Sequence, residues 1–350
     1  MNDLCGTRGD DATALDSILR IALGFQASQV LFAATRFGLF TELARGPLTG
    51  EELRLRLGLH PRSVRDFLDT LVALGLLERE DDAGGADGRY ANTPATARYL
   101  DRNKTTYLGG ALELYDNRLY GFWGSLADGL RTGKPQNEIK DGGDLFSALY
   151  KDPERLACFQ QAMTGLTMRS ADALAEAVDW AAHRTVADIG CAEGALLSHL
   201  LHRHPHLRGT GFDLEAVRAN FERNRELRGP AERLSFTAGD FFADPLPRAD
   251  VLLFGHVLHD WDLDGKRTLL RKAYEALPEG GLVVVHESFI DDDRRENLTG
   301  LLSSLNMLIE TTGGFDCTTA DCRGWLAEAG FRESRARRLA GAESMVVGRK

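Results

Sequence analysis

The chain reads as a two-domain α/β protein: a doubly wound parallel sheet flanked by helices, preceded by a helical, winged-helix-like domain. Three observations predict this. From residue 185, short β-rich runs (TVADIG, RGTGFDL, LSFTAGD, ADVLLFGHVL, GGLVVVHESF, ESMVVGRK) alternate with helical patterns such as ALLSHLLHRH and LDGKRTLLRKAYEAL, the signature of a parallel sheet with crossover helices. Residues 14–82 instead carry apolar side chains at spacings of three and four. A chain of 350 residues also exceeds one ordinary core. The expected division is 1–103 and 104–350, with 104–180 a mostly helical connection.

In the first part, ALDSILRIALGFQASQVLFAATRFGLFTELA reads as amphipathic helices. Thr49 is a plausible N-cap before Glu51 and Glu52. PRSVRDFLDTLVALGLLERE is a further helix closed by Gly75, DDAGGADG breaks the pattern, and RYANTP is the return strand of a hairpin. Helices plus a hairpin make a winged helix, which serves either DNA reading or protein–protein contact. A net charge of −10 argues against a nucleic-acid surface. RESRARR (332–338) is read as a solvated edge near a C-terminal strand.

Composition is that of a soluble globular protein, 43% hydrophobic and 27% charged, and no apolar stretch approaches the roughly 20 residues of a membrane span. The N-terminus lacks the pattern of a signal peptide. Five scattered cysteines suit reduced thiols, so a cytoplasmic location is expected.

Chemistry concentrates where the strands end. DIGCAEG (188–194) closes the first strand and opens a helix, so Gly190 and Gly194 let a ligand approach the backbone. It is neither G-x-G-x-x-G nor a Walker loop; its D-x-G-x-A-x-G form has Ala192 where a middle glycine is usual. Asp213 ends the second strand, 25 residues after Asp188, where a carboxylate can accept from both hydroxyls of a ribose. Asp240 ends the third, followed by Phe241 and Phe242, a carboxylate beside rings that could cover a base. Any one of these Asp residues could equally cap a helix or a turn; three in consecutive order point to one nucleotide-like ligand. GHVLHDW (255–261) then sets His256, His259 and Asp260 within five residues. These could make a metal site, a proton-transfer site or a helix start. H-x-x-H lacks the i, i+4 spacing of a helical zinc pair, and on a strand the two histidines would face opposite sides.

In these motifs the chain resembles the S-adenosyl-L-methionine-dependent O-methyltransferases of the caffeate and acetylserotonin type, with their bacterial natural-product relatives. VADIGCAEG, GTGFDL, AGDFF, HVLHDW and GGFDCT match successive family motifs, and residues from ATRFGLF to RYANTP look like the family's dimerisation domain. The resemblance implies a Rossmann-like class I methyltransferase domain, S-adenosyl-L-methionine as the only cofactor, no metal, and a homodimer built through the N-terminal domain and the apolar helices of 101–125. Neither nucleic acid nor membrane is an expected partner. The partner's N-terminus would help to close the acceptor pocket.

The resemblance also distributes roles. His259 is the general base that deprotonates the acceptor hydroxyl, a task suited to an imidazole titrating near neutrality. Glu287 and Asp316 are its acidic partners, with Glu287 expected on the far ring nitrogen; Asp260 is expected to cap the next helix or brace its loop. Asp188, Gly190, Gly194, Asp213, Leu214, Asp240, Phe241, Gly255, His256 and Trp261 would hold the cofactor, Gly255 standing where many relatives carry Lys. Phe159, Met163, Asn306 and Met307 would line the acceptor pocket, as suits a flat aromatic molecule. C- or N-methylation, a repurposed enzyme of this fold, and a non-catalytic ligand-sensing DNA-binding regulator are the alternatives.

Overall fold

The computed structural model describes residues 7–80, 88–104 and 106–350. Most of the predicted break DDAGGADG (81–88) lies outside the described residues. The chain forms two compact units, Met1–Asn117 and Arg118–Lys350. The first is longer than the sequence division because α7 (Gly109–Leu114) packs against α2 (Gly24–Phe37).

The first unit begins with α1 (Thr7–Ala22), α2 and α3 (Leu39–Leu43). It continues through β1 (Leu48–Thr49), α4 (Gly50–Leu57), α5 (Val64–Ala73), β2 (Leu77–Glu80), β3 (Arg89–Asn92) and α6 (Pro94–Tyr99). Thr49 does cap α4: its hydroxyl accepts the Glu52 N–H while the Glu52 carboxylate accepts the Thr49 N–H, a reciprocal capping box. β2 and β3 form the antiparallel hairpin and β1 adds to β3, giving a small sheet in order β1-β3-β2. Leu39, Phe40, Leu53, Leu68 and Leu71 fill its core. Large apolar side chains nevertheless remain exposed along α1 and the start of α2: Leu15, Ile18, Leu19, Ile21, Leu23 and Phe25. Among the described residues no single helix is long and apolar enough to cross a membrane, although 13–22 and 24–37 pass that test as a pair bent by 43°.

The second unit opens with α8 (Tyr120–Trp123), α9 (Leu126–Thr132), α10 (Leu145–Leu149), α11 (Pro153–Thr167) and α12 (Ala171–Ala177). β4 (Thr185–Ile189), α13 (Ala195–Arg203), β5 (Arg208–Asp213), α14 (Arg218–Arg228) and β6 (Leu234–Ala238) follow. β7 (Val251–Gly255), α15 (Leu263–Ala276), β8 (Leu282–Glu287), α16 (Leu298–Glu310), α17 (Thr319–Glu328), β9 (Arg335–Arg338) and β10 (Ser344–Arg349) complete it.

Its seven strands run β6-β5-β4-β7-β8-β10-β9, the first five parallel and the last two antiparallel. The sheet is therefore mixed at one edge. RESRARR is not merely beside that edge: Arg335–Arg338 is the edge strand, with all four side chains exposed. Arginines there keep an open edge from pairing with another chain. Alternation along each strand divides the core in two. Val186, Leu253 and Val284 meet α12 and α13 on one face, whereas Ala187, Phe254 and Val285 meet α15 and α17 on the other.

Candidate active site

Chain order reverses between β4 and β7, and the crevice outside the carboxyl ends of such strands is where doubly wound sheets take ligands. DIGCAEG leaves β4 there and GHVLHDW leaves β7. The DIGCAEG turn holds three left-handed residues, Gly190 (φ 76°), Ala192 (φ 48°) and Gly194 (φ 73°). A Cβ on Gly190 would come within 2.7 Å of Val257 Cγ2, so this close approach needs glycine. Ala192 retains the glycine-like conformation at a cost, and its N–H donates to Asp213 Oδ2 at 2.9 Å. The Leu214 N–H donates to Asp213 Oδ1 at 2.8 Å.

Asp213 is thus clamped by backbone at the mouth of the crevice. Burial raises its carboxyl to about 6 against the pull of those two N–H groups. Burial and the Asp213 charge raise Asp188 to about 8. Asp240 is exposed and closes an Asx turn, its Oδ1 accepting the Phe242 N–H at 2.8 Å. Beside it stand Phe241, Phe242 and Trp261, mutually edge-on with centroids 4.7–5.6 Å apart. The Trp261 Nε1–H is buried without a hydrogen-bond acceptor among the described residues.

β7 stops at Gly255, so His256 lies just past the strand although the run ADVLLFGHVL includes it. His256 has a left-handed backbone (φ 53°), its N–H donating to the His286 carbonyl at 3.1 Å. His259 lies in a 3₁₀ turn, Leu258–Asp260. Asp262, not Asp260, caps α15, its carboxylate accepting the Gly265 N–H at 2.8 Å. Asp260 instead lies beside the imidazole, Oδ1 3.6 Å from His259 Nε2.

The two acidic partners do converge on His259, with their contacts exchanged relative to expectation. Glu287 accepts the His259 backbone N–H at 3.1 Å, so it fixes the turn and does not meet the ring. Asp316 Oδ1 is the atom on the ring, 3.2 Å from Nδ1. The reach that its short side chain lacks is supplied by the backbone, because Ser304 Oγ accepts the Asp316 N–H at 3.2 Å and draws the loop inward. Burial pulls the His259 imidazole down, but Asp260, Asp316 and Glu287 outweigh it and raise the group to about 10. Burial lifts Glu287 to about 7 and Asp260 to about 6.

Lys266 joins this group unforeseen. It is fully buried, its ammonium donating to the Trp261 carbonyl and lying 3.7 Å from the centre of the Phe315 ring. No sequence signal separates it from a solvent lysine on an amphipathic helix. Of the expected pocket residues, Met307 is buried and Phe159, Met163 and Asn306 are half-buried. Asn306 Oδ1 accepts from Trp123 Nε1 at 2.9 Å, and Phe159 packs against Ile139, Leu145 and Leu149.

The crevice fits a charged adenosine cofactor. Asp213 keeps one lone pair free on each oxygen for paired hydroxyls, and aromatic rings with a buried indole N–H stand beside an exposed carboxylate.

Comparison with known proteins agrees. Family models of the O-methyltransferase domain and the O-methyltransferase dimerisation domain match residues 123–332 and 19–102. The tetracenomycin polyketide synthesis 8-O-methyl transferase TcmO of Streptomyces glaucescens is 42% identical over 95% of this chain and 96% of that protein. The N,N-dimethyltransferase OxyT of Streptomyces rimosus is 34% identical, with 92% of each covered. The crystal structure of human N-acetylserotonin methyltransferase in complex with its methyl donor superposes with a TM-score of 0.89 at 31% identity, covering 100% of this chain and 99% of that one. The chain belongs to the S-adenosyl-L-methionine-dependent O-methyltransferase family and is an enzyme of that class.

Proposed function

We propose that the chain methylates a hydroxyl of a small aromatic, natural-product-like acceptor, with His259 as the general base. The observation that carries this is the Asp316–His259 pair at the switch-point crevice. With Nδ1–H donated to Asp316, the Nε2 lone pair is left to take the acceptor's proton. Asp260 and Asp316 then flank the imidazolium that forms. Bound S-adenosyl-L-methionine supplies an activated methyl on a positively charged sulfur that leaves as a neutral thioether. The protein's remaining task is orientation. Asp188, Asp213, Leu214, Asp240, Phe241, Trp261 and the two turn glycines are assigned to the cofactor, and Phe159, Met163, Asn306 and Met307 to the acceptor. His256 and Gly255 are assigned to the wall of the cofactor pocket.

The 34% identity to a protein described as an N,N-dimethyltransferase favours amine methylation as a second reading. Cys191, Cys317 and Cys322 form no disulfide among the described residues, in keeping with a cytoplasmic location. The exposed apolar side chains of α1 support a homodimer. Calorimetry with S-adenosyl-L-methionine, followed by turnover on phenol and amine panels, tests the reading. Failure to bind the cofactor, or turnover of amines alone, would overturn it.

A further inference from the structure

Beyond the chemistry of methyl transfer, a second set of donors lies beside the catalytic turn and shares His256 with the wall of the cofactor pocket. His256, His286 and Glu343 each present one ligand-capable atom, all within 4.8 Å of one another. Three parts of the fold supply them: the end of β7, the strand β8 and the turn before β10. The His286 side chain is fully buried, and neither of its ring nitrogens has a hydrogen-bond partner. His256 Nε2 and Glu343 Oε2 are buried too and face each other as a pair 3.3 Å apart, without hydrogen-bond geometry to any other group among the described residues. A native core rarely leaves one such polar atom without a partner, at about 1–3 kcal/mol each, and here one from each of three side chains converges.

The surroundings hold these side chains in place. Ser288 Oγ donates to Glu343 Oε1 at 2.6 Å, which turns Oε2 toward the two imidazoles. The rings of His256 and His286 stand 5.4 Å apart, nearly perpendicular, so two nitrogens can point at one centre without stacking. The left-handed backbone at His256 brings its ring to this side. Gly255 is needed too, since a Cβ there would collide with His286 Nε2. Gly255 therefore makes room for the imidazole.

We propose that His256, His286 and Glu343 bind a divalent transition metal ion of the zinc class, which ties β7, β8 and the turn before β10 together. Two imidazoles and a carboxylate suit such an ion, and 3.3 Å is the ligand–ligand separation of a tetrahedron with bonds of about 2.0 Å. The ion takes no part in proton removal, because His259 belongs to the neighbouring set with Glu287 and Asp316.

Metal-stripped full-length protein titrated with Co²⁺ tests this. The expected result is one ion per chain, with tetrahedral ligand-field absorption displaced by Zn²⁺ and a raised melting temperature. Glu343→Gln should abolish the absorption, Ser288→Ala should weaken binding roughly 10–100-fold as loss of an outer hydrogen bond does, and His259→Ala should leave it intact. Absence of the absorption in the unmodified protein overturns the proposal. So does absorption that survives Glu343→Gln and disappears in His259→Ala, which would place the ion on the other triad.

Discussion

At His259 the same carboxylates that make the imidazole a strong base also keep it protonated in the free enzyme. A base works only when deprotonated, and the folded value is raised to about 10 from an ordinary value near 6.5. The acid limb of kcat/KM should therefore lie clearly above neutrality and fall toward that of free imidazole in Asp316→Asn. A limb at the same pH in both would show that Asp316 does not set the base. His259→Ala should lose roughly 10²–10⁴-fold in kcat with little change in cofactor affinity. Glu287→Gln keeps an oxygen for the His259 backbone N–H and should cost less than Asp316→Asn; stopped-time assays of the three variants rank them. Much of this group was legible, since HVLHDW, HESF and GGFDCT each mark one member. Which carboxylate meets the ring was not, because that depends on the Ser304 bond that pulls the 316 loop inward. Spacing carries no trace of a contact made across twelve residues and two elements.

Among the elements, the turn after β4 shows what a motif can and cannot state. Its place was legible because a β-rich run ends in small residues just before an apolar-striped helix. Its strain was not: Ala192 reads as a tolerated replacement, yet it sits at φ 48°. Ala192→Gly should relieve roughly 1–2 kcal/mol of left-handed strain and give back roughly 0.5–1 through the unfolded chain. A net gain of about 0–1.5 kcal/mol is expected by denaturant unfolding, with the Asp213 clamp and cofactor binding unchanged. Gly190→Ala should go the other way, losing roughly 1–3 kcal/mol because Val257 occupies the space. The edge strand β9 escaped a sequence reading for a related reason. RARR has no alternation, since an edge strand exposed on both faces buries nothing that would impose period two.

For the whole molecule, the homodimer was expected through the N-terminal domain and the helices of 101–125, and the exposed apolar side chains lie mainly on the N-terminal helix α1. Within 101–125 Tyr120 is the only large apolar side chain that is strongly exposed among the described residues, whereas Ile18 is 64% and Ile21 82% exposed on α1. Exposed apolar runs of the α1 kind mark interfaces, and a matched dimerisation domain at 19–102 is their natural setting. Light scattering should return twice the chain mass of 38.5 kDa at micromolar concentration. Ile18→Glu combined with Ile21→Glu would bury two carboxylates in that contact and should yield the 38.5 kDa species. Cofactor affinity should survive in this monomer, because every residue assigned to the cofactor lies within 118–350, so calorimetry separates lost assembly from lost folding. Acceptor turnover should fall if, as in the family, a partner's N-terminus helps to close the acceptor pocket. A double variant that stays dimeric would place the contact elsewhere, and one that loses cofactor binding with the dimer would mean that the second unit depends on assembly to fold.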